Sequence, residues 1–189
     1  MMRKILFFLV LWTACSAAAQ VTMRDVFKQM PDSIVPYLVE NNRLDFIDFI
    51  DSGMAAEVTN GLGGKSVLQK LTDAYLQMVL TEASSLSMKL LDVSEPVDSA
   101  QQVICLVRTY GTDLQESEIS FYSVKWNQLP TEQYITIPDG IWTATLKEEE
   151  PTLVLTPQCK LEAPVNEEQE IIMKPSIILK WKGCFVNQN

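Results

Sequence analysis

Val103-Ile104-Cys105-Leu106-Val107 is apolar at every position. Side chains alternate across a strand, so a strand with one wet face is apolar only at every second place. A run without that alternation needs cover on both faces. The stretch therefore reads as a central, doubly covered strand, with Cys105 a buried thiol. Around it, from Ser66 onward, short apolar runs are separated by turn clusters. Tyr75 to Leu80 and Leu86 to Leu91 flank Glu82-Ala83-Ser84-Ser85, which predicts one hairpin. Val103 to Tyr110 and Ile119 to Trp126 flank Gly111-Thr112-Asp113, which predicts a second. Ile119, Phe121 and Ser123 alternate with Ser120, Tyr122 and Val124, as in a strand at a sheet face. Tyr134 to Ile137, Ile141 to Leu146, Leu153 to Thr156 and Ile177 to Trp181 predict further strands, with Pro138-Asp139-Gly140 as a turn. Residues 93–101 and 162–174 read as exposed loops.

The chain has a different texture before residue 60. Thr22 or Asp25 can cap a short helix carrying Val26, Phe27 and Met30, stopped by Pro31. Ile34 to Val39 offers another apolar face, helical only if Pro36 falls in the first turn. Asn41-Asn42 reads as a break. Leu44, Phe46, Ile47, Ile50, Met54 and Val58 then recur at helical spacing, predicting a helix from Arg43 to Val58 ended by Gly61-Leu62-Gly63-Gly64. Helices followed by a run of strands indicate α+β, not the alternating βαβ of nucleotide-binding folds. The expected architecture is a set of N-terminal helices packed on a curved antiparallel β-sheet. It forms one α+β domain over residues 20–189, helical over about 22–60 and strand-rich over about 66–189.

Residues 1–19 read as a signal peptide. Arg3 and Lys4 form the charged start, Ile5 to Trp12 the apolar centre, and Ala17-Ala18-Ala19 the small-residue cleavage site, leaving Gln20 as the new N-terminus. The apolar run is shorter than the roughly 20 residues a spanning helix needs, and no later stretch reaches that length. A second reading exists. Cys15 follows Leu11-Trp12-Thr13-Ala14, which loosely resembles a bacterial lipobox, although Trp12 is bulky where an aliphatic residue is wanted. Either route predicts a periplasmic or cell-envelope address.

Several classes of chemistry drop out on composition. The chain has no histidine, which removes Ser-His-Asp and Cys-His mechanisms, imidazole-ligated metals and a histidine pH switch. It has 15 basic and 24 acidic residues, net −9. Without Arg3 and Lys4 this becomes 13 against 24, or −11. Such a surface repels nucleic-acid phosphate and anionic lipid heads. Cys105, Cys159 and Cys184 would remain after export, allowing at most one internal pair, with Cys159 and Cys184 the first expectation.

The remaining motifs are weak. Gly63-Gly64-Lys65-Ser66 resembles the end of a P-loop, but Thr59 stands where that loop needs its first glycine. Asp45, Asp48 and Asp51 at i, i+3, i+6 could present carboxylates to a cation, yet read more simply as the wet face of a helix. Glu148-Glu149-Glu150 before Pro151 supplies adjacent acids that could do glycosidase work, but reads as a turn. Ser85-Leu86-Ser87-Met88-Lys89 places serine and lysine at the wrong spacing, and in a strand, for a serine–lysine catalytic pair. Trp126, Trp142, Trp181 and Tyr122 are the candidate binding residues. On an exposed sheet face they could stack on sugars or clasp a partner, with Tyr110 and Tyr134 nearby in sequence; otherwise they are core. No catalytic, cofactor or metal-ligating residue is singled out, and no cofactor is expected.

Val26-Phe27-Lys28-Gln29-Met30-Pro31-Asp32-Ser33, Pro36-Tyr37-Leu38, Asn42-Arg43-Leu44-Asp45, Ile47-Asp48-Phe49 and Glu57-Val58-Thr59-Asn60 together resemble an uncharacterised family of secreted Bacteroidetes proteins known as a domain of unknown function. The similarity continues through Leu71-Thr72 and Leu90-Leu91 to Ser120-Phe121-Tyr122. This resemblance implies export and one family over most of the chain, and implies no activity. The expectation is an exported envelope protein acting as a non-enzymatic binding module for a protein or glycan. The alternative is a carboxylate-based hydrolase of envelope glycans.

Overall fold

A computed structural model describes residues 20–158 and 175–187. The expected leader, Cys15, Cys159 and the 162–174 excursion lie outside them. Helix makes up 14% and strand 47% of the described residues, so the α+β mix is dominated by antiparallel sheet. The sheet is not clearly curved.

Helix α1 (Met23–Lys28) begins where Thr22 accepts from the Asp25 N–H at 3.2 Å. Pro31 follows its end as expected. Residues 34–39 are not helical. The chain instead makes two successive turns, over 31–34 and 35–38, closed by Ile34 N–H to Pro31 O and Leu38 N–H to Val35 O. Pro36 sits inside this stretch, where it would remove a helical donor. Helix α2 (Glu40–Asp51) starts three residues before its predicted place and ends seven before. Asn41-Asn42 is its first turn rather than a break, because Asn42 Oδ1 accepts the Val39 N–H at 3.2 Å. Ser52-Gly53 ends it, with Gly53 at φ 67°.

Seven antiparallel strands follow in chain order as one meander: β1 (Glu57–Thr59), β2 (Lys65–Leu71), β3 (Tyr75–Thr81), β4 (Ser84–Val97), β5 (Ala100–Tyr110), β6 (Glu116–Ser123) and β7 (Gln128–Leu129). Val58, predicted as the end of a helix, lies in β1. Gly61-Leu62-Gly63-Gly64 turns β1 into β2 around Asn60, whose Oδ1 accepts the N–H groups of Leu62 and Gly64. Both predicted hairpins form, as β3–β4 and β5–β6. Gly111 opens the β5–β6 turn at φ 104°, where a Cβ would lie 2.1 Å from Leu114 O. Residues 93–101 are not a loop. They continue the β4–β5 hairpin to Asp98-Ser99, both at positive φ (51° and 71°) as a primed two-residue turn requires. That arm is largely uncovered by other layers, so its polar composition reads as loop.

The larger departure is a second sheet. A short 3-10 turn, Thr131–Gln133, leads to β8 (Trp142–Leu146), β9 (Thr152–Pro157), β10 (Ile177–Trp181) and β11 (Phe185–Asn187), paired in the order β11-β10-β9-β8. Tyr134 to Ile137 is irregular rather than a strand. Its Tyr134 carbonyl accepts the Phe185 N–H at 2.7 Å instead of joining a ladder. The helices thus cover one face of the large sheet and the small sheet covers the other.

Strand β5 divides the two cores. Ile104 and Leu106 pack with Phe27, Phe46 and Met78 under the helices. Val103, Cys105 and Val107 pack with Phe121, Leu153 and Leu155 under the second sheet. All five are at most 2% exposed, as the unbroken apolar run requires. What covers its second face is the four-stranded sheet.

Candidate functional site

The four aromatic candidates do not share a surface. Trp126 is 8% exposed and its Nε1 donates to Val26 O of α1 at 3.0 Å. Tyr122 packs against it, ring centres 5.4 Å apart, in the helix-side core. Trp142 and Trp181 belong to the opposite core. Trp142 Nε1 donates to Pro138 O, and Trp181 Nε1 to Asp92 O. Trp181 is half-buried, stacked with Phe121 and Tyr134 and edge-on to Phe185. The Trp126 and Trp181 indole N–H groups each tie one element to another, while that of Trp142 closes on the loop just before its own strand. The seven-stranded sheet stands between the two pairs.

A concavity with convergent polar groups lies elsewhere. The small sheet covers only part of its face of the large one. Beside β8, an open groove of about 220 Å³ is lined by Tyr75, Gln77, Ser85, Ser87, Thr109 and Gln115 of the large sheet's side. Thr143 to Leu146 of β8 form its wall. A smaller hollow of about 140 Å³, sharing Ser85, Thr109 and Gln115, extends it toward the β3–β4 turn. Strand periodicity builds the floor: Ser85, Ser87 and Lys89 are on one face of β4, Leu86 and Met88 on the other. Among the described residues, no Asp, Glu, Lys or Arg lines the groove proper. Its described lining offers hydroxyls, amides and strand backbone for neutral hydrogen bonding.

One end of β8 is fastened by a buried ammonium. Lys89 is 5% exposed. Its Nζ donates to Lys147 O at 2.8 Å and Glu148 O at 2.6 Å, and stands 5.8 Å from the centre of the Tyr75 ring. Burial lowers the proton affinity of Lys89, opposed by the nearby Glu148 and Glu149. Burial, with Glu148, raises that of Tyr75. Glu148 also pairs with Lys70 at 3.0 Å. Glu148-Glu149-Glu150 does form the β8–β9 turn and borders a shallow hollow of about 500 Å³ with Lys147, Val154, Ile178 and Lys180. Asp45, Asp48 and Asp51 lie on α2, where Asp51 is taken by Arg24 through two 2.8 Å hydrogen bonds. Those bonds hold Asp51 below the usual carboxylate range. Asp98 is also held low, by hydrogen bonds from Ser123 and Asn127. Among the described residues, no group of three or more Asp, Glu or Cys side chains is placed to hold a metal ion. No helix among them is long and apolar enough to cross a membrane.

Sequence reasoning missed the groove residues. Serine, threonine and glutamine in strands are common on wet faces, and the alternation of Ser85 and Ser87 with Leu86 and Met88 signals only that one side of β4 is polar. Nothing local says that β8 ends beside that side.

Comparison with known proteins places the chain. A family model described as a protein of unknown function, DUF3256, matches residues 14–155. The chain belongs to this family. A solved domain of an uncharacterized protein from Porphyromonas gingivalis W83 is similar to this DUF3256 chain, with TM-score 0.71 and 22% identity over 86% of this chain and 97% of that one. At that identity the likeness shows a shared fold. No curated protein matches.

Proposed function

We propose that this DUF3256 protein is exported to the cell envelope and acts there as a binding module for a protein or glycan, without chemistry on its partner. The address rests on the charged, apolar and small-residue segments of residues 1–19, with cleavage after Ala19 favoured over lipidation at Cys15. The observation that carries the binding reading is the groove beside β8, a concave site whose described lining is rich in hydrogen-bonding groups and uncharged. Glycoside hydrolysis needs two carboxyl groups about 5–10 Å apart, one with a raised pKa. Asp51 and Asp98 are shifted the other way.

The test is in-cell crosslinking with photoreactive groups at Ser87 and Thr145, followed by mass spectrometry of the adducts. A reproducible envelope protein or glycan adduct at both positions supports the reading. No adduct at either, from a protein that is abundant in the envelope, overturns it. N-terminal sequencing and a Cys15→Ser variant test the address: a Gln20 start and unchanged localisation are expected.

A further inference from the structure

We infer that the groove beside β8 takes an uncharged sugar unit of an envelope glycan; this rests on the binding reading above and names the ligand class. The wall of the groove offers no main chain to a partner. Ala144 N–H is taken by Ser117 Oγ at 2.9 Å, and Trp142, Ala144 and Leu146 are 6%, 7% and 2% exposed. A peptide laid along β8 would find no ladder to extend, which is where strand addition draws its affinity. Recognition falls to side chains, and these are amides and hydroxyls: Gln77, Ser85, Ser87, Thr109 and Gln115 on the floor and Thr145 at the rim. Gln77, Gln115 and Thr145 are exposed, and the other three are half-buried.

Strand register sets the spacing of these groups. Gln77 stands opposite Ser87, and Ser85 opposite Thr109. Opposed side chains in an antiparallel pair start about 5 Å apart, and Ser85 and Ser87, two places apart on β4, about 7 Å. On such a grid, groups on neighbouring strands meet hydroxyls on opposite sides of one pyranose ring. Gln77 Oε1 accepts from the Tyr75 hydroxyl at 3.2 Å and Thr109 shares its hydroxyl with Ser117 at 2.7 Å; Ser85 and Ser87 hold no partner among the described residues. A serine hydroxyl both donates and accepts, as a sugar hydroxyl does. Half-buried Val79, in the adjoining hollow, offers apolar surface to the ring's C–H groups. Charge narrows the sugar. The nearby ammonium groups are engaged, Lys89 by two backbone carbonyls and Lys70 by Glu148. Exposed Glu82 borders the adjoining hollow. An acidic sugar would lose water, gain no counter-charge and face Glu82. An amino sugar's ammonium would meet no carboxylate among the described lining of the groove proper.

The test titrates the purified protein with cellotetraose, maltotetraose, mannotetraose and N-acetylated chitotetraose, and with cellotetraose whose C6 carbons are oxidised to carboxylates, following backbone amide shifts by NMR. At least one neutral tetraose is expected to bind and to move the Ser85, Ser87, Thr109 and Gln115 amides while leaving that of Phe27, on the helix side, in place. The oxidised tetraose binds at least about tenfold more weakly than cellotetraose, by the cost of a desolvated, unpaired charge. Ser87→Ala removes one neutral hydrogen bond and weakens binding about two- to tenfold. Ser94→Ala, on the exposed β4–β5 arm, leaves it unchanged. Gln77→Ala supplies a second reading of the floor at an exposed site, with the same expected loss. Silence from every neutral tetraose at about 10 mM, shifts confined to other surfaces, equal binding of the oxidised probe, or indifference to both Ser87→Ala and Gln77→Ala overturns the proposal. The crosslinking at Ser87 and Thr145 separates the two readings. Protein adducts there with silent tetraoses overturn the sugar site and leave the binding module standing. If crosslinking and tetraoses all fail, both fall.

Discussion

Replacing Lys89 by Met tests how the two sheets are locked at the groove's end. Methionine keeps most of the stem volume and removes the ammonium. The wild-type Nζ donates to two backbone carbonyls, of Lys147 and Glu148, at 2.8 and 2.6 Å. Hydrogen bonds from a charged donor contribute about 1.5–3 kcal/mol each, so the pair sets a ceiling of roughly 3–6 kcal/mol by the same reasoning. Two effects reduce this. The β8–β9 turn lies at the surface, so the released carbonyls can find water. The ammonium also carries a desolvation cost, the largest influence on its lowered proton affinity, and methionine does not. The expected net loss is about 2–4 kcal/mol, read from urea unfolding of the variant against wild type. Lys147→Met, the same change on an exposed neighbour, is the control and should stay within about 0.5 kcal/mol. The linkage sign adds a second reading. Lys89 gives up its proton more readily folded than unfolded, so between its folded and unfolded pKa values the unfolded chain binds more protons. Stability therefore rises with pH there, and Lys89→Met should lack that alkaline rise. A variant within about 0.5 kcal/mol of wild type, with the same pH profile, would refute the claim that Lys89 fastens the second sheet.

Three further outcomes are expected. Leu106→Ala and Val107→Ala point into opposite cores, so both should destabilise, Leu106→Ala by about 2–5 kcal/mol; urea unfolding in which either is silent would contradict a doubly covered β5. Asp98 is held below the usual carboxylate range by Ser123 and Asn127, so its stabilising contribution is full above the ordinary Asp pKa and is lost as pH falls through the depressed value. Asp98→Asn, which tolerates the same left-handed turn, should flatten the acid limb of the urea midpoint against pH. Ser99 at φ 71° occupies a conformation glycine adopts without strain, so Ser99→Gly should stabilise by about 0.5–1 kcal/mol in thermal unfolding.

The placement of the aromatic residues shows where local reading stops. Trp126, Trp142 and Trp181 are visible in the sequence as large, amphipathic side chains in a strand-rich region, and nothing local distinguishes a sugar platform from a tie between elements. For Trp126 and Trp181 the distinction lies in partners distant in sequence: Trp126 donates to a carbonyl 100 residues away, and Trp181 to one 89 away. The groove was illegible for the same reason, since Gln77, Ser87, Thr109 and Thr145 become neighbours only when β8 crosses the large sheet.

Taken alone, the sequence determined what depends on short-range physics. Alternation marked the main strands and two of the large-sheet hairpins, Thr22 or Asp25 marked the first helix start, and the unbroken Val103–Val107 run demanded cover on two faces. The absence of histidine excluded its chemistry outright. Helix ends were misjudged where a side chain reached across a few residues, as Asn42 does to Val39. Only the tertiary structure decided that the second cover is a separate four-stranded sheet, that Trp126 and Trp181 hold layers together, and that a groove with a polar floor opens beside β8. Such features depend on which strand lies against which, and that is set by the packing of two cores rather than by any single segment.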